Sequence, residues 1–216
     1  MKSFVVIGMG RFGRYMAITL YELGYEVMVL DKDPEIIQEM SRYVTHAVVA
    51  NSTDEVTLQS LGVRNFDVAI VAVGSNIEVS ILTTVMLKDL GVKRVLVKGN
   101  SDIHTNILKK IGADEVVFPE KEMGIRTAYG ITQSNIVDYI NLSDEYSILE
   151  VKVPRKWSGK TIEQLNLRAK FGINVIAIKQ KNGLNVSPSA KDQLNQEDLL
   201  VVVGSNEELE VLHTQI

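Results

Sequence analysis

The sequence contains no cysteine. That removes a disulfide framework, a thiolate metal site and a cysteine nucleophile. No apolar run approaches the roughly 18 residues that a membrane-spanning helix needs. A large excess of one charge is also missing. The 23 Lys and Arg side chains oppose 27 Asp and Glu, giving a net charge of −4 and a pI of about 5.5. Neither part of the chain is basic enough to offer a nucleic-acid surface. The signatures G-x-S-x-G and H-E-x-x-H and the full phosphate loop G-x-x-x-x-G-K-[ST] do not occur, so the common hydrolase, P-loop and zinc-protease chemistries have no footing. Only three histidines are available as an acid or base. His46 opens an apolar run, His104 is expected on the solvent side of a helix, and His213 lies near the C-terminus. None sits beside a nucleophile signature, and the expectation is a non-enzymatic binding protein. The first apolar run begins at Phe4, leaving no room for a secretory leader, so a cytoplasmic location is expected.

What is present is concentrated in residues 2–31. An apolar run, Phe4-Val5-Val6-Ile7, leads into Gly8-Met9-Gly10-Arg11-Phe12-Gly13. A helical pattern through Tyr15, Met16, Ile18, Leu20 and Leu23 ends at Gly24. A second apolar run, Val27-Met28-Val29-Leu30, ends in Asp31. This is strand, glycine turn, helix, strand, acid. The first glycine makes the tight turn, the second lets backbone approach a pyrophosphate, and the third lets helix pack on strand. The helix N-terminus offers free N–H groups and partial positive charge to phosphate. Asp31, 18 residues beyond Gly13, stands where a carboxylate accepts from both ribose hydroxyls. It disfavours a 2′-phosphate, and hence NADP, but does not separate NAD from ATP, ADP or AMP.

A dinucleotide-binding domain takes roughly 130–150 residues, so a small second domain of about 75 remains. Along the first part, apolar runs at 46–50, 68–73, 94–98 and 115–118 alternate with helical stretches at 34–40, 55–60, 77–90 and 101–111. Short crossovers between six such strands predict an α/β, Rossmann-like doubly wound parallel sheet. Ligands bind outside the carboxyl ends of such strands. The candidates are therefore Gly8, Met9, Gly10, Arg11, Phe12 and Gly13 after the first strand, with Asp31 and Lys32 after the second. Asn51 and Ser52, Val73 and Gly74, Lys98 and Glu120 follow the remaining strands in order. Residues 120–141 read as one long helix. A polar break at Leu142-Ser143-Asp144-Glu145 then places the boundary between domains 1–141 and 142–216. The second domain mixes strands at 147–153, 174–179, 184–187 and 199–203 with short helices at 160–165 and 207–213, a small α+β unit.

Three charges near the turn narrow the ligand. The Arg11 guanidinium, inside the glycine turn, can meet a terminal phosphate bidentately. Lys98 adds a point charge. Glu120 would repel a polyphosphate unless a hard divalent cation lies between them. Together they favour ATP or ADP with Mg²⁺ or a similar divalent cation over NAD.

The run from Val5 to Arg14, Val-Val-Ile-Gly-Met-Gly-Arg-Phe-Gly-Arg, resembles the start of the RCK proteins, cytosolic regulators of potassium channels and transporters. Thr45-His46-Ala47-Val48, Leu61-Gly62-Val63-Arg64-Asn65-Phe66-Asp67, Ile111-Gly112-Ala113-Asp114, Phe118-Pro119-Glu120-Lys121 and Arg168-Ala169-Lys170-Phe171-Gly172-Ile173-Asn174 are similar to the Ktr/Trk branch. The resemblance spans essentially the whole chain. It implies an RCK_N domain that dimerises through the crossover helix near 120–140, dimers that form an octameric ring, and docking on a separate membrane K⁺-translocating subunit at the inner face of the cell membrane. ATP and ADP would set different ring shapes, ATP favouring activity. Arg11 would contact a terminal phosphate, often in the neighbouring subunit; Asp31 would hold the ribose, Asn51 and Ser52 would border the adenine, and Glu120 would meet the divalent cation. The second domain resembles RCK_C, which in relatives binds cyclic di-AMP; here that would use Ile162, Arg168, Asn174, Val175 and Pro188. The alternative of a different class is an NAD(H)-binding redox sensor or dehydrogenase-like protein, which shares the glycine turn and Asp31.

Overall fold

The computed structural model describes every residue except Met1, Gln133, Ser134, Asp144 and Ile216; the side chains of His213 and Gln215 also fall outside the description. His213, as a side chain, and Asp144 of the polar break therefore lie outside the described residues. By its internal packing the chain forms two compact units, Met1–Glu120 and Lys121–Ile216.

In the first unit, strands β1 (Ser3–Ile7), β2 (Glu26–Asp31), β3 (His46–Val49), β4 (Val68–Val71), β5 (Val95–Lys98) and β6 (Glu115–Val117) form one sheet in the order β3-β2-β1-β4-β5-β6. All its pairings are parallel. Helices α1 (Arg11–Glu22), α2 (Pro34–Met40), α3 (Glu55–Ser60), α4 (Ile77–Asp89) and α5 (Asp102–Lys110) make the crossovers. Alternate strand residues serve opposite faces. Val6, Val27, Val29 and Ile70 pack with Ala17, Ile37 and Met40 of α1 and α2. Val5, Ile7, Leu30, Val71 and Val97 pack with Leu58, Leu87 and Leu108 of α3, α4 and α5. Burial on both faces is why these strands read as unbroken apolar runs. The expected doubly wound sheet is present, with the strand order reversing between β1 and β4. That switch point opens a crevice at the strands' carboxyl ends.

The second unit begins within α6 (Pro119–Thr132). Its antiparallel sheet holds β7 (Ile136–Asn141), β8 (Tyr146–Lys152), β9 (Asn174–Gln180), β10 (Gly183–Asn185) and β11 (Leu199–Ser205) in the order β10-β9-β11-β8-β7. Helices α7 (Ile162–Leu165), α8 (Leu167–Phe171) and α9 (Asn206–Gln215) complete it. Its core gathers Leu149, Val151, Trp157, Ile173, Ile178, Leu200, Val202 and Leu212. Thr161 and Gln164 start α7 with a reciprocal capping box.

Two expectations are corrected. The single helix expected over 120–141 ends at Thr132, and residues 136–141 form β7, paired antiparallel with β8. Ile136-Val137-Asp138-Tyr139-Ile140 is rich in β-branched and aromatic side chains that suit a pleated, half-buried surface. The Arg126 Nε donates to Asp138 Oδ1 at 2.6 Å, and the Tyr129 ring stacks on Tyr139 with centroids 4.5 Å apart. These contacts tie α6 to β7, so packing divides the chain after Glu120 rather than after Asn141. The second correction is His104. Expected in solvent, it is 1% exposed, while Ile103 on the same helix is 75% exposed.

Candidate functional site

A cleft of about 980 Å³ opens at the carboxyl ends of β1, β2, β4 and β5, entirely within the first unit. That volume is at the upper end for cofactor pockets. Its floor is the glycine turn. Gly8 adopts φ +93°, and a Cβ there would lie 2.9 Å from Val73 Cγ2; its N–H donates to the Leu30 carbonyl at 2.8 Å. A Cβ on Gly13 would come 2.0 Å from the Gly8 carbonyl oxygen, so only glycine lets α1 start here. A Cβ on Gly10 would meet nothing within 4 Å. Gly10 is also the N-cap of α1, and no side chain caps that helix. The three glycines therefore divide into two that close the turn and one that leaves its backbone facing open space. The first-turn N–H groups of α1 then await an external acceptor, with the helix dipole behind them.

Asp31 is held at the lip of β2. One carboxylate oxygen accepts from Met9 N–H at 2.6 Å and the other from Asp33 N–H at 3.1 Å. Both oxygens retain lone pairs for a hydroxyl donor. Lys32 and Asn51 are exposed lining residues, and Asn51 Oδ1 is engaged by the Thr53 N–H and hydroxyl at 3.2 and 2.9 Å. Ser52 is 9% exposed, and its hydroxyl lies 3.1 Å from Thr83 Oγ1 of α4. Val73 and Gly74 line the opposite wall.

The charged rim is compact. Lys98 forms an ion pair with Glu120 and lies 5.9 Å from the centroid of the Phe12 ring, a cation–π distance. A Cβ on Gly74 would approach Lys98 Nζ to 3.2 Å. The Lys98 hydrogen bond holds the Glu120 carboxyl below the usual carboxylate range, with a further contribution from the Arg11 charge. Glu120 is thus ionised at neutral pH beside two cations. Arg11 itself is exposed on the rim. Among the described residues no group of three or more His, Cys, Asp and Glu could hold a metal ion. Glu120 alone fits a divalent cation only if phosphate and water supply its remaining oxygen ligands.

Of the residues expected from the sequence, Gly8, Gly10, Arg11, Phe12, Asp31, Lys32, Asn51, Ser52, Val73, Gly74, Lys98 and Glu120 line this one cleft. Met9 and Gly13 do not: the Met9 side chain is 1% exposed in the core, and Gly13 is buried against Gly8. Lining residues that the sequence reading missed include Asn76, Val79, Asn100 and Phe118. Asn76 carried a signal, since it caps α4 through its Oδ1 to Val79 N–H at 3.1 Å. Asn100 carried none. In the second unit, Arg168 and Asn174 are exposed, and Ile162, Val175 and Pro188 are half-buried; Ile162 and Val175 also pack on the core.

Comparison with known proteins matches residues 4–119 to the TrkA-N domain and residues 147–215 to the TrkA-C domain. The chain is 46% identical to Ktr system potassium uptake protein C of Bacillus subtilis (strain 168), covering 99% of each chain. It is 43% identical to Ktr system potassium uptake protein A of the same organism, covering 96% of this chain and 94% of that one. Among solved structures, the GsuK RCK domain aligns with a TM-score of 0.69 at 20% identity, over 99% of this chain and 47% of that one. The GsuK channel bound to NAD aligns with the same TM-score at 19% identity, over 98% of this chain and 38% of that one. The structural matches extend the fold across the full chain. Among the described residues no helix is long and apolar enough to cross a membrane.

Proposed function

Because the chain belongs to the family of TrkA-N and TrkA-C domain proteins that includes the Ktr potassium uptake proteins, we propose that it is the nucleotide-responsive gating subunit of a potassium uptake system. In this reading it works in the cytoplasm on a separate membrane K⁺-translocating subunit, without turning its nucleotide over. The carrying observation is the placement of Arg11, Lys98 and Glu120 around one cleft that also presents the glycine turn and Asp31. Asp31 suits an adenosine ribose, Gly10 and the first turn of α1 suit the α- and β-phosphates, and Arg11 suits a terminal phosphate. Glu120 suits a divalent cation bridged to the phosphates. A ligand shifts an equilibrium only by its difference in affinity for two states. ATP differs from ADP by the one phosphate that Arg11 and the Glu120-bound cation would hold.

Self-association belongs to the same reading. No residue of α6 is buried in the single chain, and Met123, Ile125, Tyr129 and Ile131 are 37–79% exposed along it. Such an apolar helix suits burial against a second copy, and dimers of dimers would build the octameric ring. Ile162, Arg168, Asn174, Val175 and Pro188 form the proposed cyclic di-AMP surface of the second domain, where Arg168 supplies charge for a phosphate. The test is K⁺ flux through a Ktr-type membrane subunit reconstituted in vesicles with the purified full chain. Faster flux with Mg²⁺–ATP than with Mg²⁺–ADP supports the proposal. Equal flux with both, or with NADH alone as the effective ligand, overturns it.

A further inference from the structure

Outside the rim described so far, one buried polar chain reaches the cleft. His104, on α5, is 1% exposed. Its Nδ1 lies 3.0 Å from Asn100 Oδ1, and Asn100 Nδ2 lies 3.0 Å from the Gly74 carbonyl oxygen. Asn100 and Gly74 both line the cleft, whereas His104 does not. The proton positions follow from one fixed point. A backbone carbonyl only accepts, so the Asn100 atom facing Gly74 is the amide nitrogen. The atom facing His104 is then the amide oxygen, which only accepts, and His104 Nδ1 must carry a proton. His104 Nε2 is buried and, among the described residues, has no hydrogen-bond partner.

An imidazole placed there for packing alone would be a poor choice, because an apolar side chain of similar size would fill the space without an orphaned ring nitrogen. Burial also disfavours the doubly protonated ring, and the His104 pKa lies below its ordinary value for that reason. The neutral Nδ1–H form is the one the surroundings select. Its visible consequence is the orientation of the Asn100 amide. With Oδ1 held by His104 and one N–H held by Gly74, the second N–H of the same amide is unassigned. Asn100 stands two residues beyond Lys98, at the carboxyl end of β5, where an anionic oxygen would meet the Lys98 charge.

We propose that Asn100 is a ligand-contacting donor of the cleft for a phosphate-type oxygen, and that His104 is its positioning residue, fixing the amide through Nδ1–H. The inference rests on the nucleotide reading of the cleft. Without His104 the Gly74 carbonyl is the one contact left holding the amide, and Asn100 Oδ1 loses its donor, so the amide is held less firmly.

The full chain labelled with ¹⁵N-histidine gives the direct readout. Ring nitrogen shifts at neutral pH are expected to show His104 with Nδ1 protonated and Nε2 bare; the opposite tautomer overturns the proposal. Calorimetric titration with Mg²⁺–ATP supplies the second arm. Asn100→Leu is expected to raise Kd about tenfold, the weight of one hydrogen bond to a charged acceptor. His104→Leu is expected to raise it about three- to tenfold. His104→Gln, whose amide N–H can replace Nδ1–H, is expected to stay within about twofold of wild type. Should His104→Leu fail to fold, the tautomer together with Asn100→Leu decides. Unchanged affinity in Asn100→Leu, with wild type binding normally, overturns the proposal alone. Failure of wild type to bind any nucleotide overturns the cleft's nucleotide reading, and the proposal with it.

Discussion

Replacing Gly10 and Gly13 by alanine, one at a time, should separate binding from folding within a single turn. At Gly13 an added Cβ would lie 2.0 Å from the Gly8 carbonyl oxygen, against 3.4 Å for ordinary contact. The start of α1 must move by about 1.4 Å, the difference between those distances. Overpacking of that kind costs about 1–3 kcal/mol or more. For a unit of this size each kcal/mol lowers Tm by about 3–5 °C, so Gly13→Ala is expected to melt roughly 3–15 °C below wild type. At Gly10 the added Cβ meets nothing within 4 Å, and φ is −67°. The lower chain entropy of alanine, about 0.4–1 kcal/mol in its favour, is offset by its poorer fit at an N-cap. Gly10→Ala should therefore melt within about 4 °C of wild type. Its methyl group nevertheless stands where a pyrophosphate would approach the backbone. Loss of one charged N–H···O contact costs about 1.5–3 kcal/mol, roughly a 10- to 150-fold rise in Kd. Differential scanning fluorimetry gives the stability of the apo proteins, and calorimetry with Mg²⁺–ATP gives the affinity. Normal melting with wild-type affinity in Gly10→Ala would refute the placement of phosphate over this turn.

Three other outcomes follow from the same geometry. Arg11→Ala should weaken ATP roughly tenfold or more through the lost phosphate contact and ADP by no more than about threefold; equal losses in paired titrations would remove Arg11 from the terminal phosphate. Glu120→Gln should reduce the dependence of ATP affinity on Mg²⁺, read as the ratio of Kd with and without the cation, and an unchanged ratio would assign the cation elsewhere. The Arg126 hydrogen bond holds the Asp138 carboxyl below its ordinary range. A carboxylate with a depressed folded pKa stabilises above its unfolded pKa and loses that contribution as pH falls through the folded value. The Tm deficit of Asp138→Asn should thus be present at pH 7 and close as pH falls through and below the ordinary carboxylate range; a deficit that persists in acid would show that the pair's charge is not its source.

The legibility of the site tracks how local each feature is. The glycine turn, α1 and Asp31 lie within one β-α-β unit, and their spacing in the sequence is their spacing in space. Lys98 and Glu120 were legible because each follows an apolar strand, and ligands of a parallel sheet sit at those ends. The Asn100–Gly74 contact joins residues 26 positions apart, so it exists only once β4 and β5 are neighbours. The burial of His104 is hidden from the sequence for a related reason. On α5 the sequence offers Ile103 and Ile107 as the apolar face, yet His104 and Leu108 are buried. A polar partner one helical turn away, Asn100, makes the burial of an imidazole tolerable. Residues 136–141 read as helix because the apolar spacing over 120–141 suits one. The β-branched content and the open edge of β8 decided otherwise.

The central claim is that this cleft distinguishes ATP from ADP and prefers both to NAD(H). The most direct test is a titration of nucleotide-stripped full chain with ATP, ADP and NADH in turn, each with Mg²⁺, with particle mass recorded alongside affinity. The account predicts tight binding of ATP and ADP to a ring-sized assembly, with a measurable difference between the two. Tight NADH binding with weak ATP binding, or ATP bound by a monomer, would contradict it.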